Sequence, residues 1–232
     1  MTYFCIKFLA LAKNKLRKFS QIAEYPNVFQ PTFEELKSGF SIQGKWRSEV
    51  FKNDNPLVVE LGCGKGEYSL GLAKKYPEKN FLGIDVKGAR MWKGASDANN
   101  EGISNVAFLR TRIEFIEYCF ANSEVDEIWI TFPDPQIKKK RAKNRLTHPV
   151  FLERYSNILK DKGLIHLKTD SQFLHGYTLC VIEGYQHHLE DAEHDIYNAV
   201  LQRENMEIKT YYEQLFLEKN MSITYLRFRL KS

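Results

Sequence analysis

Nowhere in the 232 residues is there an apolar run of some 18 to 20, so no segment can span a bilayer as a helix. The four cysteines, Cys5, Cys63, Cys119 and Cys180, stand far apart and form no CxxC pair. That excludes a zinc ribbon or a disulfide framework and fits a reducing cytoplasm. His187 and His188 are adjacent, so their side chains diverge, and with His194 they make a poor ligand set; no metal is expected. There is no internal repeat and no low-complexity tract. No secretory signal is expected either: the apolar stretch 2–12, TYFCIKFLALA, precedes its positive charge at Lys13, Lys15, Arg17 and Lys18 instead of following it. Residues 1–12 read as an extension without chemistry.

Strong charge of one sign is also missing. A net charge of +5 is mild, so its placement matters more than its total. What is present is apolar and aromatic content, 43% and 13%, enough for the core of one sizeable domain. From residue 56 short apolar runs alternate with amphipathic stretches. Strands are expected at 56–62, 80–86, 105–111, 124–132 and 163–170, and helices at 66–76, 87–100, 113–121, 148–160 and about 171–185. Repeated β-α-β units predict an α/β fold with a doubly wound, mostly parallel sheet. Residues 221–230, with a weaker run near 189–197, are expected as an antiparallel edge. Segment 13–55 is basic and aromatic without a clean period. The expected division is therefore an extension and basic arm at 1–55 and the main domain at 56–232.

Open parallel sheets bind ligands beyond the carboxyl ends of their strands. The first such end reads Glu60-Leu61-Gly62-Cys63-Gly64-Lys65-Gly66. A dinucleotide fingerprint would need glycine at 67, where Glu67 stands, and no GK[ST] follows for a phosphate loop. Glu60 would repel a pyrophosphate. The pattern suits a ligand without phosphates that carries positive charge, such as S-adenosylmethionine. The second strand ends in Asp85, an acid able to accept hydrogen bonds from both hydroxyls of a ribose.

The fourth strand ends in Phe132-Pro133-Asp134-Pro135, and six cations follow within eight residues: Lys138, Lys139, Lys140, Arg141, Lys143 and Arg145. Two prolines restrict the backbone around Asp134, so its carboxylate can be aimed before a substrate arrives. The cationic block beside it suits a polyanionic partner.

With these motifs the chain resembles the bacterial tRNA (guanine-N7-)-methyltransferases. The resemblance runs from about residue 13 to the end. It is carried by VVELGCGKGEYSLGLAKKYP, NFLGIDV, ITFPDPQIKKKRAKNRLT, GLIHLKTD and the TYYE of Thr210–Glu213. It implies a Rossmann-like class I methyltransferase fold with an added antiparallel strand. It further implies methyl transfer from S-adenosylmethionine to N7 of guanine 46 in the tRNA variable loop. Glu60, Gly62, Asp85 and Asp134 correspond to cofactor contacts, Asp134 also to the catalytic residue. Lys138, Asp170, Thr210 and Glu213 correspond to substrate contacts. Two positions depart from the family: Gln136 stands where an aromatic, usually Trp, is common. Leu109-Arg110-Thr111-Arg112 stands where an acid near the adenine is common, leaving Thr111 as the candidate there. The expected partner is tRNA, the expected state a monomer or homodimer, and the expected location the cytoplasm. The alternatives are a methyltransferase for another RNA or a small molecule, and a non-catalytic RNA-binding protein with this fold.

Overall fold

The computed structural model describes residues 16–201, 203 and 205–231. Cys5, Lys13, Lys15 and the apolar stretch 2–12 lie outside the described residues. Residues 16–24 are helical (α1). Then come β1 (Val28–Phe29), α2 (Phe33–Gly39), a π-helical turn over Trp46–Phe51, β2 (Leu57–Leu61), α3 (Glu67–Lys75), β3 (Asn80–Asp85), α4 (Gly88–Glu101) and β4 (Val106–Arg110). The second half runs β5 (Val125–Thr131), α5 (Pro149–Ile158), β6 (Leu159–Thr169), α6 (Gln172–Gly184), β7 (His188–Glu193), α7 (Tyr211–Leu217) and β8 (Thr224–Arg229).

One sheet orders the strands β1-β4-β3-β2-β5-β6-β8-β7. The first six in that row are parallel, and β8 is antiparallel to both β6 and β7. The expected α/β fold with an antiparallel C-terminal edge is therefore present. β2 is buried along its whole length, and the later part of β5 is too, as strands covered on both faces of a parallel sheet are. One face packs Leu36 of α2, Trp46, Phe151 and Tyr155 of α5, and Leu174 and Ile182 of α6. The other packs Tyr68 and Leu72 of α3 with Met91 and Ala95 of α4.

Three expectations shift. The helix expected over 113–121 is a 3₁₀ helix, Ile113–Tyr118. The helix expected over 148–160 stops at Ile158, and the strand expected from 163 begins at Leu159. Lys162 at φ +60° turns the chain there, and a register shift against β5 absorbs the extra residues. Segment 28–51 is more than an arm: β1 pairs with β4, and Trp46 is fully buried with its indole N–H donating to the Cys119 carbonyl at 2.9 Å.

Candidate active site

The strand order reverses between β2 and β5, because β3 lies on one side of β2 and β6 on the far side of β5. At this switch point the carboxyl ends of the strands surround a cavity of about 700 Å³, large enough for a nucleoside-sized ligand. Gly62, Asp85, Thr111, Asp134 and Asp170 all line it, each from the end of a different strand.

The loop after β2 is built by close approach. The N–H groups of Gly62 and Cys63 both donate to the Ile84 carbonyl, at 2.8 and 3.0 Å, folding the loop over the end of β3. Gly66 has φ +74°, and a Cβ there would come within 2.4 Å of the Phe108 ring. Only glycine lets Phe108 of β4 pack this close beneath the loop, with the Cα of Gly94 on α4 3.3 Å from the same point. The Asp85 carboxylate is held on both oxygens, by the N–H of Gly64 at 2.9 Å and of Lys87 at 2.7 Å. Each oxygen keeps a second lone pair for a ligand.

Glu60 does not line the cavity. It is buried beneath Gly62, where one carboxylate oxygen accepts from the N–H of Ser69 at 2.9 Å and from its hydroxyl, and the other from the Thr131 hydroxyl. Burial raises its pKa, and the Ser69 and Thr131 hydrogen bonds oppose that rise. Its geometry is that of a fastening between β2, α3 and β5.

Asp134 is exposed on the cavity rim, and its Oδ1 accepts from the N–H of Gln136 at 3.0 Å. Phe132 and Gln136, either side of the Pro-Asp-Pro unit, have φ of +47° and +45°. Left-handed backbone at two non-glycine residues is costly, on the order of 1–3 kcal/mol each, and such strain gathers at functional loops. The Phe132 N–H donates to the Lys168 carbonyl at 2.8 Å, tying the loop to β6. Asp170, next to the end of β6, is half-buried, and burial raises its pKa.

The remaining candidates are placed differently. Lys138 is exposed, outside the cavity lining, and heads a 3₁₀ turn over Lys139–Asn144. Thr210 and Glu213 form a capping box at the start of α7. The Glu213 side chain is fully buried and pairs with the equally buried Lys168 at 2.7 Å, so its carboxylate faces the core rather than the cavity. What α7 does bring to the cavity is Tyr212 and Phe216, which sequence reading did not single out. Their i,i+4 spacing on one helical face was the available signal. Lys87, Arg90, Arg112, Glu114, Gln136 and Asn144 complete the polar lining.

Among the described residues neither histidine nor cysteine lines the cavity, and its charged groups are carboxylates, lysine and arginines. Among the described residues no group of His, Cys, Asp and Glu could hold a metal ion, and no helix is long and apolar enough to cross a membrane.

A doubly wound sheet with a carboxylate-bearing, glycine-opened cavity at its switch point is a Rossmann-like architecture, the fold of the methyltransferases it resembles. Two solved structures share this fold: the 16S rRNA methyltransferase KamB, with a TM-score of 0.60 at 14% identity over 86% of this chain and 93% of that one, and a 30S ribosomal A1408 methyltransferase from an uncultured bacterium, at 0.58 and 19% over 82% and 98%. The family described as "Putative methyltransferase" matches residues 54–226. The tRNA (guanine-N(7)-)-methyltransferase of Christiangramia forsetii is 57% identical, covering 95% of this chain and 99% of its own length. That of Bacteroides thetaiotaomicron is 50% identical, over 95% and 87%. The chain belongs to the tRNA (guanine-N7-)-methyltransferase family.

Proposed function

We propose that this chain transfers a methyl group from S-adenosylmethionine to N7 of guanine 46 in the variable loop of tRNA. The observation that carries the reading is the convergence of Asp85, Asp134 and Asp170 on one cavity beside a row of exposed cations. Bound there, S-adenosylmethionine supplies an electrophilic methyl on a positively charged sulfur. The residues fit such a ligand: Asp85, Glu114, Asp134 and Asp170 outnumber the cations Lys87, Arg90 and Arg112 in the lining, and the Asp85 oxygens retain acceptor capacity for a ribose diol. Open space at the Cα of Gly62 admits close approach to the backbone. Thr111 stands by the adenine end in this reading.

Guanine N7 carries its lone pair in the ring plane and loses no proton before reacting. The cavity therefore needs no general base, in keeping with a lining without histidine. Asp134 accepts hydrogen bonds from the N1–H and N2–H₂ edge of the guanine and offsets the positive charge that the base acquires. Asp170 contacts the same nucleotide from the neighbouring strand. Lys138, Lys139, Lys140, Arg141 and Lys143, all exposed, meet phosphates around the loop. Thr210 and Glu213 act on the substrate by holding α7, whose Tyr212 and Phe216 close one wall.

The test is incubation with methyl-labelled S-adenosylmethionine and unmodified tRNA, then digestion and mass spectrometry of the fragments. Label is expected as 7-methylguanosine at a single variable-loop guanine. Label in free nucleosides or in another RNA would replace the substrate assignment, and no uptake of the donor would leave an RNA-binding protein. Asp134→Ala should lower turnover about 100-fold, the scale of lost orientation, with donor affinity within about threefold of the parent. Equal loss of both would argue against an aiming role.

A further inference from the structure

Among the six cations between Lys138 and Arg145, the last differs in kind. Lys138, Lys139, Lys140, Arg141 and Lys143 are exposed, whereas Arg145 is only 5% exposed. Its guanidinium turns inward. Nε donates to the Pro135 carbonyl at 3.3 Å, and Nη2 to those of Gln136 at 3.1 Å and Ile137 at 3.5 Å. The rings of Phe173 and Tyr177, both on α6, flank it with centroids at 4.8 and 4.3 Å. No carboxylate of the described residues pairs with it. A buried cation needs partners for its donors, and here three successive carbonyls accept from Nε and Nη2 while two ring faces flank the guanidinium.

Those three carbonyls belong to the residues that follow Asp134. Gln136, the middle one, has the strained φ of +45°, and its N–H is the group that holds Asp134 Oδ1. The guanidinium fork thus grips the peptides that orient the carboxylate. The Arg145 N–H also donates to the Ala142 carbonyl at 3.1 Å, closing the 3₁₀ turn. Residues 138–145 therefore form a strap that leaves the Asp134 loop, carries five exposed cations, and returns to fasten on the same loop.

We propose that Arg145 is a positioning residue for Asp134 and not a phosphate contact, so that docking of nucleic acid on the strap and alignment of the carboxylate are mechanically linked. The proposal rests on reading the cavity as a methyl-transfer site. It distinguishes Arg145 from its five neighbours, which differ from it in exposure and not in charge.

The experiment compares the parent chain with Arg145→Ala, Arg145→Lys and the double variant Lys139→Glu/Lys140→Glu. Turnover on unmodified tRNA is measured at saturating tRNA, and tRNA binding is measured against salt concentration without methyl donor. Arg145→Ala is expected to lower kcat about 100-fold, with tRNA affinity within about twofold and the salt slope unchanged. Arg145→Lys keeps the charge but lacks the planar fork, and should lose kcat likewise. The double variant should raise KM and flatten the slope by roughly 0.7 to 0.9 for each phosphate it no longer neutralises. Guanidinium ion at millimolar concentration should restore part of the Arg145→Ala turnover, where sodium ion does not.

Two results overturn the proposal. One is a flattened slope for Arg145→Ala with kcat unchanged at saturation, which would make Arg145 a phosphate contact. The other is a parent-like kcat for Arg145→Lys, which would reduce its role to charge. Should Arg145→Ala fail to fold, the Arg145→Lys result decides. Should the parent chain transfer no methyl to tRNA, the function reading fails by itself, and the donor-free slopes still decide whether Arg145 touches nucleic acid.

Discussion

His175 carries two ring nitrogens into the interior of the protein, and neither has a hydrogen-bond partner among the described residues. It is 1% exposed, on α6, with the ring of His194 at 4.8 Å. Burial, helped by the charge His194 would bear, pushes its pKa down from 6.5 to about 4, against a weaker pull upward from Glu193. Below pH 6.5 the unfolded chain then takes up a proton that the folded chain refuses. Stability must fall as pH drops from 6.5 and stop falling near 4. Between pH 7 and 5 this one residue should cost about 2 kcal/mol. His175→Leu has a similar volume and nothing to protonate. Urea unfolding of both proteins at pH 7 and pH 5 should show the parent losing about 2 kcal/mol more than the variant. Equal losses would mean that His175 is already charged or solvated in the fold. The same burial that disables this histidine as a base keeps it away from the candidate site, whose chemistry is left to acids.

At the scale of elements, α7 is instructive because seven residues are too few to hold a helix alone. Its start is fixed by the Thr210–Glu213 capping box, by the Tyr211 N–H donating to Glu67 Oε2 at 2.8 Å, and by the Lys168–Glu213 pair. The Tyr197 hydroxyl adds a donor to Glu213 at 2.6 Å. Burial pushes the Lys168 pKa down, and the Glu213 carboxylate opposes that shift. Removing either charge leaves the other buried without its partner, which typically costs about 3–5 kcal/mol. Glu213→Gln and Lys168→Met should each lose about that much in chemical denaturation. The double variant should lose clearly less than the two combined, since it strands no charge. Strict additivity would refute coupling across the pair.

This anchor also marks where sequence reading ends. Strands 57–61, 80–85 and 125–131 stood out because a parallel sheet buries both faces, which leaves predominantly apolar runs, Leu57–Val59, Phe81–Ile84 and Ile128–Ile130, at their centres. Asp85, Asp134 and Asp170 were legible because each terminates such a run and its place on the rim follows from topology. Glu60 stood at the same kind of position, yet its carboxylate is claimed from below by Ser69 and Thr131, partners set by packing and not by spacing. Glu213 and Arg145 look like surface charges in sequence. Their burial depends on Lys168, Phe173 and Tyr177, residues outside their own motifs. The basic, aromatic segment before residue 56 showed no single period because its apolar groups reach the core from several short elements, a seven-residue helix, a two-residue strand and a π-helical turn.

That segment bears on the whole molecule. Gln43 Nε2 donates to the carbonyls of Glu117 and Phe120 at 3.1 and 3.0 Å. The buried Glu124, just ahead of β5, accepts from the N–H groups of Gly44 and Trp46 at 2.9 and 3.1 Å. Arg47 pairs with Asp126 of β5 itself. Leu36, Trp46 and Phe51 join the larger of the two cores. Losing one buried tryptophan alone costs about 3–5 kcal/mol, and a whole domain is stable by only about 5–15 kcal/mol. Deleting residues 1–55 would remove all three core side chains, strand the Glu124 carboxylate with a single internal donor from Ala121, and bare one edge of β4. A chain of residues 56–232 should therefore lack a cooperative urea transition and a native near-ultraviolet dichroism spectrum, both of which the full chain should show. A cooperative transition in the shortened chain would make residues 1–55 an appended arm after all, and would free them to act on a bound nucleic acid without regard to the fold.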